Sequence, residues 1–265
     1  MPLEAAHGLC PAWAADARVG AWMSLRGGGV SKGPFASLNL GRSAGDAAGA
    51  VEENRRRFAA SLGVTPRWMS QVHGTRVLRL AALHGRLAPT SLPAPAAGFE
   101  SAESADAAIT TVAGVACTVM VADCLPVLLA APAGRGVGAT HAGWRGLAAG
   151  VLEASVAALA NAAACRPDEL VAWLGPCIGP HRFEVGAEVV DAFKGGPRFV
   201  ERPRADGALR WLADLPGLAT DRLRRAGLTQ ISASGLCTHE DASRFFSYRR
   251  DGATGRMAVA VWLRG

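Results

Sequence analysis

The 265-residue sequence predicts a mixed α/β (α+β) single domain, a mixed β-sheet flanked by helices. Three observations carry this. Short apolar, β-rich runs alternate with helix-period segments. Turn signals between neighbouring runs argue against a purely parallel sheet. No fixed-period repeat is present, and strand-like text and motifs lie on both sides of the one low-complexity stretch, so residues 1–265 read as one domain.

The elements follow in order. Ala107–Thr111 and Val115–Val121 are β-rich runs separated by Ala113-Gly114, predicted as a hairpin. Pro126–Ala131 is a third run, stopped by Pro132-Ala133-Gly134, and Gly136–His141 is a short strand. Leu147–Ala164 is predicted as a helix, with Leu147, Val151, Leu152, Val156 and Leu159 on one face. Leu170–Leu174 is a strand, Val185–Lys194 a helix, Asp214–Ala226 a helix closed by Gly227, and Ile231–Ser234 and Met257–Leu263 strands. Arg86–Ala105, rich in Pro, Ala and Ser, is predicted as a surface loop within the domain.

Composition excludes several functions. Half the residues are hydrophobic and mean hydropathy is +0.18. Yet the longest charge-free run, Ala107–Ala122, has sixteen residues and three threonines, short of the roughly 20 apolar residues of a membrane span. No basic start followed by an apolar block marks a signal peptide, so a cytoplasmic protein without membrane contact is expected. The net charge of +6 arises from 28 basic residues of which only Lys32 and Lys194 are lysines. The arginines cluster at 55–57, at 222, 224 and 225, and at 249–250 without interleaved aromatics, so no nucleic-acid partner is expected. The six cysteines include no C-x-x-C pair and read as reduced thiols.

Three apolar runs end in residues suited to metal binding: Gln71-Val72-His73-Gly74, Ala122-Asp123-Cys124-Leu125-Pro126, and His141-Ala142-Gly143-Trp144-Arg145-Gly146. Strand ends are where rigid sheets present side chains into a crevice. Two imidazoles and one thiolate suit Zn²⁺ and leave a tetrahedral position open. Their long separations fit ordinary packed residues too, so the spacing leaves both readings standing.

The segments 28–41 (GGVSKGPFASLNLG), 71–74 (QVHG), 118–129 (TVMVADCLPVLL), 141–147 (HAGWRGL), 175–186 (GPCIGPHRFEVG) and 236–256 (LCTHEDASRFFSYRRDGATGR) resemble, in order, the YfiH-like family. Its members carry two labels, purine nucleoside phosphorylase and multicopper polyphenol oxidase or laccase. The resemblance spans about residues 20–263 and implies a mixed α/β domain. It also implies His73, Cys124 and His141 as metal ligands, and phosphorolysis of adenosine, inosine and S-methyl-5′-thioadenosine with adenosine deamination as a side activity. The loop after Arg86 and His181 depart from the family pattern.

Purine nucleosides and phosphate are thus the expected partners, and Zn²⁺ the expected cofactor, with Cu²⁺ as an alternative occupant. Arg55 and Arg145 are candidates for phosphate contact, and Ser37 and Asn39 for ribose or base. Asp123, beside Cys124, is a candidate proton relay or support for a ligand. Phe245, Phe246, Tyr248 and Arg249 form a candidate base-stacking wall. A multicopper cluster needs many imidazoles, and the chain has six histidines (7, 73, 84, 141, 181, 239), none spaced as H-x-H. A metal-free hydrolase with Cys124 as nucleophile and His73 or His141 as base uses the same residues. Roles for Cys177, Cys237, His181 and His239 stay unassigned, as does the oligomeric state, with which a monomer is compatible.

Overall fold

The structure, a computed structural model, describes residues 2–81 and 99–265. In chain order it contains strands β1 (Gly8–Leu9) and β2 (Val19–Ser24), helix α1 (Ala48–Leu62), then β3 (Thr65–Ser70), β4 (Val77–Leu80), β5 (Phe99–Ser104), β6 (Ala107–Thr110), β7 (Val115–Val121), β8 (Leu125–Ala130) and β9 (Val137–Ala142). There follow α2 (Trp144–Ala149), α3 (Val151–Ala162), β10 (Val171–Leu174), β11 (Glu184–Val185), α4 (Ala187–Ala192), β12 (Phe199–Glu201) and β13 (Trp211–Ala213). The chain closes with α5 (Leu215–Arg225), β14 (Gln230–Ala233), α6 (Tyr248–Asp251) and β15 (Met257–Leu263).

Two six-stranded mixed sheets carry the domain, ordered β1-β2-β15-β7-β3-β5 and β14-β10-β8-β9-β6-β4, with a small sheet β11-β13-β12 beside them. The side-chain alternation of β15 shows why they stack. Met257, Val259, Val261 and Leu263 face the core shared with Leu128, Ala139 and Trp173 of the second sheet. The intervening Ala258, Ala260 and Trp262 pack against Phe58 and Leu62 of α1. A strand covered on both faces reads as a continuous apolar run, which is the sequence of β15. On the far side, Ile109, Val127 and Leu129 of the second sheet meet Leu152, Val156 and Leu159 of α3 and Leu223 of α5. The layers are therefore helix, sheet, sheet, helix.

Four expectations need correction. The runs 107–110 and 115–121 are both strands but not a hairpin: β6 pairs with β4 and β9, whereas β7 pairs with β15 and β3. Gly114 does turn the chain, at φ +84°, yet it carries it from one sheet to the other. Burial of both faces, which a hairpin alone cannot supply, decides the partners. The helix expected over 147–164 starts earlier, at Trp144, and breaks at Gly150 (φ +102°). Only Ala187–Ala192 of the segment 185–194 is helical, Val185 belonging to β11. The surface loop expected over 86–105 ends in a strand, since Phe99–Ser104 pairs in parallel with β3; residues 86–98 lie outside the described residues. Among the described residues no helix is long and apolar enough to cross a membrane.

Candidate metal centre and substrate cavity

The site forms at one end of the sandwich. His73 follows β3 of the first sheet, Cys124 lies in the connection from β7 to β8, where the chain passes between sheets, and His141 lies on β9. The β8–β9 register opposes Leu125 to Ala142 and Pro126 to His141, so Cys124 and Gly143 emerge side by side. One ligand atom from each of His73, Cys124 and His141 lies within 4.8 Å of the others. Cys124 Sγ is 3.8 Å from His73 Nε2, and the two imidazole rings meet edge to face with centroids 4.8 Å apart. A Cβ on Gly143 would lie 2.5 Å from His73 Cδ2 and 3.1 Å from Cys124 Sγ, so only glycine lets the backbone close behind the cluster.

Asp106 organises this centre, and sequence reasoning passed over it. Fully buried, it accepts the Val72 (3.2 Å) and Gly74 (2.6 Å) N–H groups at Oδ2 and the His73 N–H (2.9 Å) at Oδ1. Oδ1 also faces His141 Nδ1 at 2.8 Å. Three backbone donors hold His73 at φ +60°, a left-handed conformation that costs a non-glycine residue on the order of 1 kcal/mol. An ionised Asp106 makes His141 Nδ1 the protonated nitrogen and leaves Nε2 as the donor atom. The sequence carries one signal for it: the charge-free run 107–122 is bracketed by two aspartates, Asp106 and Asp123.

The charges of the centre are strongly coupled. Burial pushes the Cys124 thiol up, but His141 and His73 outweigh it and bring it down to about 6. Burial pulls His141 down, but Cys124 and Asp106 push it up to about 9. Burial pushes the Asp106 carboxyl up, but the His141 and backbone hydrogen bonds hold it below its usual range. The two shifts run in the directions that favour a Cys124 thiolate beside a protonated His141, and a divalent cation held there would take the place of that proton. A borderline-soft N₂S donor set with an open side, supported by a carboxylate behind one imidazole, fits a divalent transition metal.

The cluster opens into a cavity of about 480 Å³ that is lined by Arg55, Gln71, Met120, Tyr248 and Arg256, with no carboxylate in its wall among the described residues. Arg55, from α1, is fully buried, stacks over Trp68 at 4.3 Å and donates Nε–H to the Leu40 carbonyl (2.9 Å). Gln71 clamps the Met120 backbone through both amide atoms, at 2.7 and 2.8 Å. Arg256 closes the 236–256 motif, where nothing local in the sequence distinguishes it from the neighbouring Arg249 and Arg250.

Four expected residues lie elsewhere. The Asp123 carboxylate accepts from Thr238 Oγ1 (2.7 Å) and the Arg249 N–H (2.6 Å), anchoring the β7–β8 connection instead of reaching an imidazole. Ser37 and Asn39 are turned inward: Ser37 Oγ accepts the Gly29 N–H, and Asn39, fully buried, accepts the Gly41 and Arg256 N–H groups (both 2.9 Å). Neither lines the cavity. Arg145 is exposed on α2, stacked 4.3 Å over Trp144, away from the cavity wall. Of the aromatic wall, Phe245 and Phe246 are core residues, Arg249 lies over Phe183, and only Tyr248 borders the cavity. Cys177 and Cys237, both free thiols, are paired only through their backbones in a short parallel β contact, and His181 and His239 stand outside the cavity wall.

A family model described as "Multi-copper polyphenol oxidoreductase laccase" matches residues 20–264. A purine nucleoside phosphorylase of Pseudomonas aeruginosa is 46% identical over 259 residues, covering 97% of this chain and 98% of the relative. Purine nucleoside phosphorylase YfiH of Escherichia coli is 44% identical over 257 residues, covering 96% and 98%. The chain belongs to the YfiH family. Solved structures of similar proteins share its fold. Neisseria meningitidis protein NMB0706 superposes with a TM-score of 0.85 at 41% identity, covering 98% of this chain and all of that one. YlmD from Geobacillus stearothermophilus gives 0.80 at 32%, covering 94% and 93%. The three ligands implied by resemblance to the YfiH family are the three that this fold gathers into one cluster.

Proposed function

We propose that this chain is a zinc-dependent purine nucleoside phosphorylase of the cytoplasm, cleaving adenosine, inosine and S-methyl-5′-thioadenosine with phosphate and deaminating adenosine as a side activity. The single observation that carries the reading is a cavity joining a three-ligand metal cluster to buried guanidinium, with no carboxylate in its wall among the described residues. Such a cavity suits an anionic co-substrate beside a polar, neutral one. The names of the relatives at 46% and 44% identity support it.

In this reading Arg55 binds and orients phosphate, its guanidinium already stripped of water and fixed by Trp68 and the Leu40 carbonyl. An oxygen of hydrogen phosphate attacks ribose C1′, the C1′–N9 bond breaks with its electron pair going to the base, and the departing purine takes up, through solvent, the proton that the phosphate gives up. Met69, Met120 and Val121 form an apolar wall that limits competing attack by water. Tyr248, 60% exposed at the rim, offers a face on which the base stacks. When bound, zinc at His73, Cys124 and His141 supplies a Lewis acid at the cavity floor, while Asp106 fixes the tautomer and orientation of His141.

The polyphenol-oxidase description of the family model fits less well. Among the described residues His73, Cys124 and His141 make the one group able to hold a metal, and His7, His181 and His239 lie outside it. A cluster of several coppers needs more imidazole than that. The test is incubation of metal-defined protein with inosine and adenosine, with and without phosphate, and chromatography of the products. Phosphate-dependent release of free base is expected; none, beside a working control phosphorylase, overturns the proposal.

A further inference from the structure

Three guanidinium groups line the cavity, those of Arg42, Arg55 and Arg256; Arg42 pairs with Glu52 at 2.9 Å, and the partners of Arg256 set it apart from the surface arginines. Most of those pair with carboxylates, as Arg198 does with Asp214 and Asp221, and Arg222 with Glu153. Arg256 is half-buried, and its described side-chain hydrogen bonds go only to the carbonyls of Thr254 (2.8 Å) and Gly255 (3.1 Å). Two carbonyls occupy only part of its five-donor fork, its guanidinium lies 5.9 Å over the Tyr248 ring, and among the described residues no carboxylate forms an ion pair with it.

The position of this side chain is set from two directions. Asn39 Oδ1 accepts both the Arg256 and Gly41 N–H groups, tying together segments 217 residues apart. Gly41 in turn lies flat under the arginine, since a Cβ there would fall 2.6 Å from Arg256 Cγ. A buried asparagine and a glycine, both from the ASLNLG motif, thus pre-position a cation beside the metal cluster and in the same wall as Arg55.

We infer that Arg256 is a phosphate-binding residue, holding the anionic co-substrate from the cavity wall it shares with Arg55. This inference rests on the phosphorolysis reading for its co-substrate. Asn39, expected to touch the nucleoside, acts instead as the positioning residue for Arg256. The planar fork of arginine suits two phosphate oxygens at once, which lysine cannot match.

Two measurements on the metal-loaded full chain test this. In steady-state kinetics Arg256→Gln is expected to raise the KM for phosphate by about 10- to 100-fold, the range for loss of charge-assisted hydrogen bonds. The nucleoside KM and the metal content should stay unchanged, and Arg256→Lys should recover part of the loss. An unchanged phosphate KM, or a nucleoside KM that rises in step, overturns the inference. The second measurement needs no variant and no turnover. Inorganic phosphate should protect Arg256 of the wild-type protein from an arginine-selective dicarbonyl reagent, mapped by peptide mass spectrometry, where chloride at equal ionic strength does not. Equal protection by both anions, or none, overturns the inference even if phosphorolysis is observed. Protection by phosphate in a protein that releases no base supports the anion site and overturns the phosphorylase reading alone.

Discussion

Asp106→Asn tests the organisation of the metal centre most severely, because the change is nearly isosteric. The carboxylate serves four donors: the His73 N–H and His141 Nδ1 at Oδ1, and the Val72 and Gly74 N–H groups at Oδ2. An amide keeps one oxygen and replaces the other with a donor. Whichever way it is turned, two of the four lose their acceptor and face an NH₂ group. At roughly 1–3 kcal/mol for each buried donor left unsatisfied, the folded state should lose about 2–5 kcal/mol. If the amide nitrogen lies toward His141, its Nδ1 must accept, and Nε2 then carries the proton and no longer donates to a metal. Loss of such outer support typically lowers metal affinity by about 10- to 100-fold. Thermal unfolding and competition with a chromophoric chelator measure the two effects. A variant that binds metal within about twofold of wild type would refute the role assigned to Asp106.

Three further predictions follow from the same geometry. Gly143→Ala places a methyl group 2.5 Å from His73 Cδ2, so metal content after dialysis should fall sharply while far-ultraviolet circular dichroism stays native. Cys124→Ala should abolish both metal retention and turnover, whereas a hydrolase using the Cys124 thiol without metal would survive chelation and be killed by alkylation of the metal-free protein. Asp221, hydrogen-bonded to Arg198, is held below the usual carboxylate range, with burial opposing the shift. Its contribution is therefore complete above the unfolded value of about 4 and lost as pH falls through the lower folded value. Asp221→Asn should thus cost about 0.5–1 kcal/mol near pH 7 and little near pH 2, read by denaturant titration at both.

Much of the fold was legible because its central strands are apolar on both faces. The segments Val115–Val121, Leu125–Ala130 and Met257–Leu263 each bury nearly every side chain, and each reads as a strand from composition alone. Strand partners were not legible. The turn at Gly114 is the same local signal whether the next strand returns beside β6 or crosses to the other sheet, and only three-dimensional burial separates the two. The metal ligands came from resemblance to the YfiH family, since the apolar runs that end in them fit ordinary packed residues equally well. Their support could not be read, since Asp106 contacts residues 72–74 and 141 across distances that no local pattern records. Arg145 and Asp123 illustrate the converse error. Each neighbours a ligand in sequence, but the start of α2 turns the Arg145 guanidinium outward, and Thr238 and Arg249 draw the Asp123 carboxylate away. Asn39 was recognised as a site residue for contact with substrate, while its buried amide instead holds the backbone that carries Arg256.

The central claim is that the metal cluster and the cationic wall of one cavity act together on a nucleoside and phosphate. It is tested most directly by following free hypoxanthine from inosine in four mixtures, with metal present or stripped and phosphate present or absent. Release only when both are present, and recovered when zinc is restored, is the predicted result. Release that persists without phosphate or survives metal removal would contradict the account.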